Sequence, residues 1–402
     1  MTRPLIPDSL VQEEGGTIAL VVMDGVGGLP HPETGRTELE TARTPNLDAL
    51  AEESSLGMLT PVLPGVTPGS GPGHLSLFGY DPLEFLVGRG ALSALGVGFE
   101  LEPGDLAIRL NLATLDGEGR VLDRRAGRPP DSEARAVVER LRTEVTPPKG
   151  VELHILHEKE HRAVMVLRGE GLRDDLQDTD PQKEGVAPLP PKAFRTEAEP
   201  TQRLLEELLD RIRSVLEDED TVTGVLARGY ALYQGFPSLE ERFGLRGVAV
   251  ARYPMYRGVA RLVGMESAGE PDSDAAAVEL LGEVFGRYDF HFLHFKAPDA
   301  RGEDGDFHAK VEAIEAVDAL VPEIRASGPD VLLITGDHST PAALRAHSWH
   351  SVPVLLHSAW ARPTEGAFSE SAARRGDLGT LEAKYLMSLA LAHAGRLQKF
   401  GA

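Results

Sequence analysis

Short apolar segments rich in β-branched residues recur along the 402-residue chain, and helical patterns separate several of them. An uninterrupted apolar run of this length is typical of a parallel strand that is buried on both faces. The alternation of strands and helices predicts an α/β core in which helices cover both faces of a mostly parallel sheet. The predicted strands are 17–23, 222–228, 290–296, 331–339 and 351–357, and the helical patterns include 44–54 and 306–324.

The middle of the chain, residues 83–216, has a different pattern. Strand-like pieces occur there among many turns, and a proline-rich stretch, GVAPLPPKAF, precedes a long helical pattern. We interpret this region as a smaller α/β domain that is inserted into the first. The sequence therefore predicts a discontinuous core domain, formed by residues 1–82 and 217–402, and an inserted domain at 83–216.

The chain carries a formal net charge of −22 and contains no cysteine. A surface this negative argues against nucleic acid and anionic membranes as partners. An anionic substrate would therefore need a local group of arginines or metal ions. The absence of cysteine excludes disulfides and thiolate metal sites, which fits a cytoplasmic protein. No apolar run reaches the ~18 residues of a membrane span, and the amino-terminal segment lacks the apolar stretch of a signal peptide.

Two histidines come just before the last predicted strand, and acids and a further histidine follow other predicted strands at their carboxyl ends. In an open parallel sheet these ends meet at one edge, where functional groups collect. Oxygen and imidazole donors of this kind suit divalent ions such as Mn²⁺ or Zn²⁺. The sequence therefore predicts a site for such ions at this edge. The candidate side chains are Asp24, Asp299, Glu303, Asp337, His338, His347 and His350.

A glycine-rich stretch, GVTPGSGPGHLSLFGYDP at residues 65–82, contains Ser70 in a predicted loop. The glycines permit unusual backbone angles and the close approach of a large substrate. Two divalent ions would stabilise the alkoxide of a serine and neutralise the oxygens of a phosphoryl group in transfer. We therefore predict that Ser70 is a metal-activated nucleophile that accepts a phosphoryl group.

Each of these features also has a purely structural interpretation. Gly/Ser/Pro clusters such as the one around Ser70 are usually turns. An acid after a strand, such as Asp24, also serves as a helix N-cap or a loop residue. His294 lies inside a predicted strand, and we expect it to be a core residue. The functional interpretation depends on the whole set occurring in an order that one sheet can bring together.

As a set, the motifs of this chain resemble those of cofactor-independent phosphoglycerate mutases, in the shorter archaeal-type branch of the alkaline phosphatase superfamily. They span nearly the whole chain in the order found in that family. The resemblance implies an alkaline-phosphatase-like core with an inserted domain. The motifs are VVMDGVGG, TPNLDALA, PGSGPGHLSLFGYDP, LDRRAGR, HRAVMVLRGEGL with QDTDP, LARGY, APDARGEDGDFHAKVEAIEAVD, ITGDHSTP and AHSWHSVPV.

The resemblance also implies roles for individual residues. Ser70 corresponds to the nucleophile that becomes phosphoserine. His74, Arg125 and Arg162 correspond to substrate contacts, and Arg228, at the end of a predicted core strand, is a further phosphate contact. One metal ion would be bound by Asp24, Ser70, Asp337 and His338, and the second by Asp299, Glu303 and His347. Arg128 and Lys296 are additional candidates for the substrate.

Two positions depart from the family pattern. Gly71 stands where the family usually has an acid, and Glu303 stands where GHDG of the family supplies a histidine, here GEDG. A carboxylate also ligates Mn²⁺ or Zn²⁺ and favours harder ions. Alternatively, the second metal site is weakened, or His308 or His350 compensates.

The implied reaction interconverts 3-phosphoglycerate and 2-phosphoglycerate, a step of glycolysis and gluconeogenesis, through phosphoserine. It needs two divalent ions, with Mn²⁺ expected first and Zn²⁺ or Co²⁺ as alternatives, and it needs no 2,3-bisphosphoglycerate. The inserted domain is expected to close over the core and exclude water. The alternatives are a metal-dependent phosphatase, a homoserine-type small-molecule kinase, and a non-catalytic protein that has lost the second metal site. The substrate is a small phosphorylated hydroxy acid in the preferred interpretation.

Overall fold

The computed structural model describes residues 5–363 and 365–401. Its strands are β1 (Ile18–Met23), β2 (Ser55–Thr60), β3 (Leu106–Leu115), β4 (Val121–Asp123), β5 (Val151–Lys159), β6 (Arg162–Gly169), β7 (Gly224–Leu232), β8 (Gly247–Ala251), β9 (Glu266–Ser267), β10 (Phe290–Phe295), β11 (Val331–Thr335), β12 (Val352–Ser358) and β13 (Gly379–Glu382). Its α-helices are α1 (Glu38–Thr41), α2 (Pro45–Ala51), α3 (Ser70–Leu77), α4 (Arg89–Gly96), α5 (Asp131–Glu144), α6 (Glu199–Val215), α7 (Leu239–Phe243), α8 (Pro254–Leu262), α9 (Asp274–Val284), α10 (Ala297–Asp304), α11 (Phe307–Asp318), α12 (Val321–Ala326), α13 (Glu370–Ala373) and α14 (Leu386–His393).

The chain forms two compact units. The first combines Met1–Leu86 with Pro237–Ala402, and the second is the intervening segment Val87–Phe236. None of the helices within the described residues is long and apolar enough to cross a bilayer. We expected that the amino-terminal segment is not a signal peptide. Residues 1–4 of that segment lie outside the described residues.

The first unit is built on a mixed sheet in the order β13-β2-β12-β11-β1-β10-β8-β9. Strand β1 lies in its middle, parallel to β10 on one side and to β11 on the other. Strand β12 runs antiparallel to both of its neighbours, whereas the remaining pairs are parallel. The prediction of a mostly parallel sheet in an α/β core is therefore confirmed.

Helices cover both faces of this sheet because its central strands are apolar on both sides. All six residues of β1 are buried, and Ala19, Val21 and Met23 pack in one cluster with residues of α2, α9, α11 and α12. On the opposite face Phe292 of β10 meets Phe78, which immediately follows α3. The period-2 alternation of a strand thus divides one apolar run between two helical layers.

The second unit has an antiparallel sheet of its own. The strands lie in the order β4-β3-β6-β5, and β7 pairs with β3. Residues of α5 and α6 pack on one face in a large apolar cluster, and α4 packs with a smaller cluster on the other. This arrangement is a separate α/β unit, each face of which has its own apolar packing.

The structure corrects one strand of the predicted core. The apolar run 222–228 was expected in the sheet of the first unit, but it belongs to β7 and is hydrogen-bonded to β3 in the second unit. The second unit consequently extends to Phe236, not to residue 216, and it begins at Val87, not at residue 83. An apolar run reports that a strand is buried, but it does not report which sheet the strand joins.

Candidate metal centre

The central strands of the first unit bring several acids and one histidine to the same edge. Asp24 directly follows β1, Asp337 and His338 come just after β11, and Asp299 lies in the first turn of α10 after β10. Because β10, β1 and β11 are adjacent and parallel, their carboxyl ends lie side by side. All four side chains are fully buried.

Asp24, Asp337 and His338 form a group whose ligand atoms all lie within 4.8 Å of one another. The Nε2 atom of His338 is 3.1 Å from Asp337 Oδ2 and 3.4 Å from Asp24 Oδ1. Among the described residues, neither of these oxygens receives a hydrogen bond of good geometry. Buried carboxylate oxygens without donors are costly unless a cation compensates them. The donor set and its unsatisfied oxygens therefore fit a divalent ion.

Ser70 belongs to the same group, because its Oγ lies 3.3 Å from His338 Nε2. The structure corrects the prediction of a loop, since Ser70 is the first residue of α3 and Gly69 is its N-cap. Gly73 allows the helix to approach the loop after β11. A Cβ at residue 73 would lie 2.4 Å from the carbonyl oxygen of Asp337.

A second group consists of Asp299, His338 and His347. The Nε2 atom of His347 is 3.6 Å from Asp299 Oδ1, and its Nδ1 is 2.9 Å from the carbonyl oxygen of Pro68. The rings of His338 and His347 are stacked with their centroids 3.6 Å apart. Glu303 lies at the edge of this group, with Oε1 3.7 Å from His347 Nε2 and with 55% of its side chain exposed.

Lys296 lies between the two groups. Its Nζ is 3.2 Å from Asp24 Oδ2, and it also donates a hydrogen bond to Asp299 Oδ2. Burial alone would lower the pKa of Lys296, but the negative charges of Asp24 and Asp299 outweigh burial and raise this pKa. The lysine therefore places a positive charge between the two sets of carboxylates.

His294 contributes to the site in a way that the sequence did not predict. It is a buried residue of β10, as expected, but its Nε2 lies 3.1 Å from Asp24 Oδ2 and its ring stacks on Tyr256 at 3.6 Å. Burial would raise the pKa of Asp24, but the hydrogen bond from His294 and the charge of Lys296 hold it well below its usual value. Asp24 is therefore an anion.

The position of His74 does not support the predicted substrate contact. Its ring is fully buried beside Phe292, Tyr256 and His294. Its Nδ1 lies 2.8 Å from the carbonyl oxygen of Ser70 and 3.2 Å from Asp337 Oδ2. Burial lowers the pKa of His74, whereas Asp337 raises it, and the net change is upward. The buried His74 ring therefore supports the first turn of α3 through its contact with the backbone carbonyl of Ser70.

The second unit holds a group of arginines that act electrostatically on Arg109 or on His161. This group, here called the arginine cluster, consists of Arg89, Arg109, Arg125, Arg128, Arg162 and Arg228. Arg109 on β3 lies opposite Arg228 on β7, and Arg228 donates to Asp180 at 3.1 Å. Burial and the positive charges of Arg162, Arg89 and Arg228 lower the pKa of Arg109 to about 10, despite the opposing effect of Glu158. These mutual effects show that several positive charges are concentrated in one part of a chain of net charge −22.

The sequence predicted four members of the arginine cluster but not Arg89 or Arg109. Arg228 was expected at the end of a core strand, but it lies within β7 of the second unit. The signal for Arg109 was available, because it is a charge inside the apolar strand pattern LAIRLNLATL. A charge at such a position is buried only where something compensates it.

The mostly parallel sheet, the donor groups at its edge, the serine at the start of α3 and the second unit define an α/β protein with a candidate metal centre at the carboxyl edge of its sheet. A sequence model described as 2,3-bisphosphoglycerate-independent phosphoglycerate mutase matches residues 51–221. A Thermus thermophilus protein named probable 2,3-bisphosphoglycerate-independent phosphoglycerate mutase is 56% identical over 397 residues, which cover 98% of both chains. The chain belongs to the family of 2,3-bisphosphoglycerate-independent phosphoglycerate mutases.

Solved structures support the same assignment. The PH0037 protein from Pyrococcus horikoshii superposes with a TM-score of 0.83 at 30% identity, and the match covers 96% of this chain and all of that one. The cofactor-independent phosphoglycerate mutase from Thermoplasma acidophilum superposes with a TM-score of 0.70 at 26% identity, over 94% of this chain and all of that one. The family resemblance inferred from the sequence motifs is therefore confirmed.

Proposed function

We propose that this protein interconverts 3-phosphoglycerate and 2-phosphoglycerate, with Ser70 as the phosphoryl acceptor and with two divalent ions at the candidate metal centre. The observation that carries the proposal is the convergence on His338 Nε2 of the Ser70 hydroxyl and two buried carboxylate oxygens that lack donors. The family assignment supports the same activity.

The proposed ligands of the first ion are Asp24, Ser70, Asp337 and His338, and those of the second are Asp299, Glu303 and His347. When bound, the ions would lower the pKa of the serine hydroxyl and neutralise the phosphoryl oxygens. Mn²⁺ is the expected ion, with Zn²⁺ or Co²⁺ as alternatives, because the set combines carboxylates with imidazoles. Asp24 Oδ1 and Asp337 Oδ2, which have no hydrogen-bond partner among the described residues, support the first site.

In the first half of the reaction, a bond forms between Ser70 Oγ and phosphorus as the bond from phosphorus to the substrate oxygen breaks. The serine proton passes, in net terms, to the departing glycerate oxygen. The other hydroxyl of glycerate then attacks the phosphorus of the phosphoserine, and the bond from phosphorus to Ser70 Oγ breaks. The proton of that hydroxyl passes, in net terms, to Ser70 Oγ. The start of α3 suits this chemistry, since the free N–H groups of a helix N-terminus favour negative charge.

The second unit supplies the proposed contacts to the substrate. Arg125, Arg162 and Arg228 are proposed to bind the carboxylate and phosphate oxygens, because planar guanidinium groups match both kinds of anion. The arginine cluster supports this role in a chain that is otherwise strongly negative.

The cysteine-free sequence supports the proposal of a cytoplasmic location.

Product analysis tests the proposal directly. The Mn²⁺-loaded protein is incubated with 3-phosphoglycerate, without 2,3-bisphosphoglycerate, and ³¹P NMR follows the products. We expect 2-phosphoglycerate from the wild type and none from Ser70→Ala. Ser76→Ala is the matched control, because Ser76 is a buried serine of the same helix. Release of inorganic phosphate as the main product would assign a phosphatase, and turnover by Ser70→Ala would remove Ser70 as the acceptor.

A further inference from the structure

Thr340 lies two residues after His338 and touches residues of both ligand groups. It is fully buried. Its hydroxyl oxygen is 2.6 Å from Asp299 Oδ1 and 2.9 Å from His338 Nδ1. Asp299 belongs to the second group, whereas Nε2 of His338 faces the first group. The Thr340 hydroxyl therefore contacts one residue of each candidate metal site, Asp299 in the second group and His338 in the first.

The hydrogen bonds of Thr340 determine which nitrogen of His338 carries the proton. An ionised carboxylate only accepts hydrogen bonds, so the single hydroxyl hydrogen of Thr340 is donated to Asp299. The hydroxyl oxygen then accepts from His338, and Nδ1 is the protonated nitrogen. The lone pair of Nε2 is consequently directed at Asp24, Asp337 and Ser70, which is the form of histidine that binds a metal ion.

The backbone of Thr340 is held so that its hydroxyl has little freedom. Its N–H lies 3.2 Å from the carbonyl oxygen of Gly25 and 3.1 Å from that of Gly27. Its own carbonyl accepts a hydrogen bond of 2.8 Å from Lys310 Nζ. The same Nζ donates to the carbonyl oxygens of Gly25 and Gly27, each at 2.9 Å. Lys310 thereby ties the loop after β1 to the loop after β11.

Gly25 shows how closely the hydroxyl is packed. This residue has a φ of +63°, and a Cβ at its position would lie 2.6 Å from Thr340 Oγ1 and 2.8 Å from Asp299 Oδ1. The backbone of Gly25, next to Asp24, therefore lies so close to the Thr340 hydroxyl that a side chain at this position would collide with it. A shift of Thr340 would have to displace the segments that carry Asp24, Asp299 and His338 together.

We propose that Thr340 is a positioning residue that couples the two metal sites, because one hydroxyl both fixes the tautomer of His338 and orients Asp299. This inference rests on the proposed function, since it needs divalent ions at both groups. Partners of metal ligands commonly contribute about 10- to 100-fold in metal affinity. Because Thr340 serves a ligand of each group, its hydroxyl should affect both sites together.

The experiment titrates metal-free protein with Mn²⁺ and follows the free ion by electron paramagnetic resonance. We expect two sites in the wild type, affinities about 10- to 100-fold weaker at both sites in Thr340→Val, and recovery of most of the loss in Thr340→Ser. Thr179→Val is the matched control. Thr179 is a buried threonine of the second unit whose hydroxyl makes two hydrogen bonds to the backbone of Ala227, and we expect unchanged Mn²⁺ binding.

A second measurement does not depend on metal loading or on the folding of Thr340→Val. Selective ¹⁵N labelling of histidine in the metal-free wild type reports which nitrogen of His338 is protonated, with His338→Asn used to assign the signal. We expect the proton on Nδ1. A proton on Nε2 would overturn the inference.

The outcomes separate this inference from the proposed function. Two Mn²⁺ sites in the wild type with unchanged affinities in Thr340→Val would overturn the role of Thr340 and leave the proposed function standing. Weakening of a single site would contradict the coupling. A wild type that binds no Mn²⁺ would overturn the metal-dependent function and this inference with it.

Discussion

The hydroxyl oxygen of Ser70 lies 3.3 Å from Nε2 of His338, although 268 positions separate these residues in the chain. The contact depends on the packing of α3 against the loop after β11, which Gly73 makes close enough. The proposed nucleophile and the proposed metal ligands are therefore positioned by separate elements. Substitutions in each of them should have different effects.

Substitution of Glu303 tests whether a carboxylate can serve as a metal ligand in place of the histidine expected from the family pattern. Its Oε1 is 3.7 Å from His347 Nε2. We expect Glu303→Gln to lower the affinity of the second Mn²⁺ site about tenfold and to leave the first unchanged, because an amide is a weaker ligand than a carboxylate. Mn²⁺ titration measures both. Asp304→Asn is the control, since Asp304 is exposed and paired with Arg301. Equal binding by the wild type and Glu303→Gln would exclude Glu303 as a ligand.

Substitution of Arg162 tests whether the arginine cluster binds the substrate. We expect Arg162→Ala to raise KM for 3-phosphoglycerate about tenfold or more, because a charged hydrogen bond to the substrate is lost. Mn²⁺ affinity should not change. Arg168→Ala is the control on the same strand, since the guanidinium of Arg168 is paired with Asp105. Steady-state kinetics that show the same KM for Arg162→Ala and the wild type would contradict the proposed role.

Lys310 is expected to be important for stability. Its fully buried ammonium group donates to three backbone carbonyls. Burial lowers the pKa of Lys310, and the charges of Glu38 and Glu370 offset part of this effect. Lys310→Met would leave these groups without a donor or a counter-charge. We expect a loss of about 3 kcal/mol or more in the free energy of unfolding.

Urea unfolding of the first unit measures this effect. Arg325→Met is the comparison, because Arg325 of the same unit pairs with Glu53 at the surface, where 45% and 54% of the two side chains are exposed. That substitution should cost about 1 kcal/mol or less. A loss of similar size in the two variants would mean that Lys310 is dispensable.

His161 gives the second unit a predictable dependence on pH. Burial, followed by the positive charges of Arg162 and Arg125, lowers the pKa of His161 to about 4, whereas an unfolded chain has a value of about 6.5. Between these values the unfolded chain binds a proton that the folded chain does not. The free energy of unfolding therefore falls as the pH drops from about 6.5 towards 4.

His161→Phe removes this contribution. Between pH 7 and pH 5 we expect the variant to lose about 1–2 kcal/mol less stability than the wild type, measured by hydrogen exchange of the β3 and β6 amides. His154→Phe is the control in the same sheet, because 37% of the His154 side chain is exposed. Identical pH dependence of the wild type and His161→Phe would disprove the effect.

The ligand groups could be predicted from the sequence because they depend on topology alone. Asp24, Asp299 and Asp337 each follow a buried apolar strand, and a parallel sheet brings such positions to one edge. The family motifs then added the roles that topology cannot assign. Glu303 illustrates the limit, since its spacing matches the motif although more than half of its side chain is exposed.

Other features depend on packing that no local pattern encodes. The strand pattern of β7 was correct, but its pairing with β3 is a long-range contact. The family resemblance implied a substrate contact for His74, whereas the helix turns that ring into the interior. Thr340 lies within the ITGDHSTP motif, yet only the structure shows that its hydroxyl reaches Asp299 across 41 positions.

The first unit also has a consequence for the order of events during translation. Strand β1 pairs with β10 and β11. The first strand of this unit therefore cannot form these pairs until more than 260 further residues have been synthesised. The second unit, by contrast, is complete once the ribosome has passed Phe236. Ser70 therefore lacks its His338 neighbour until 268 further residues have been synthesised, so the proposed metal centre can assemble only after the second unit is complete.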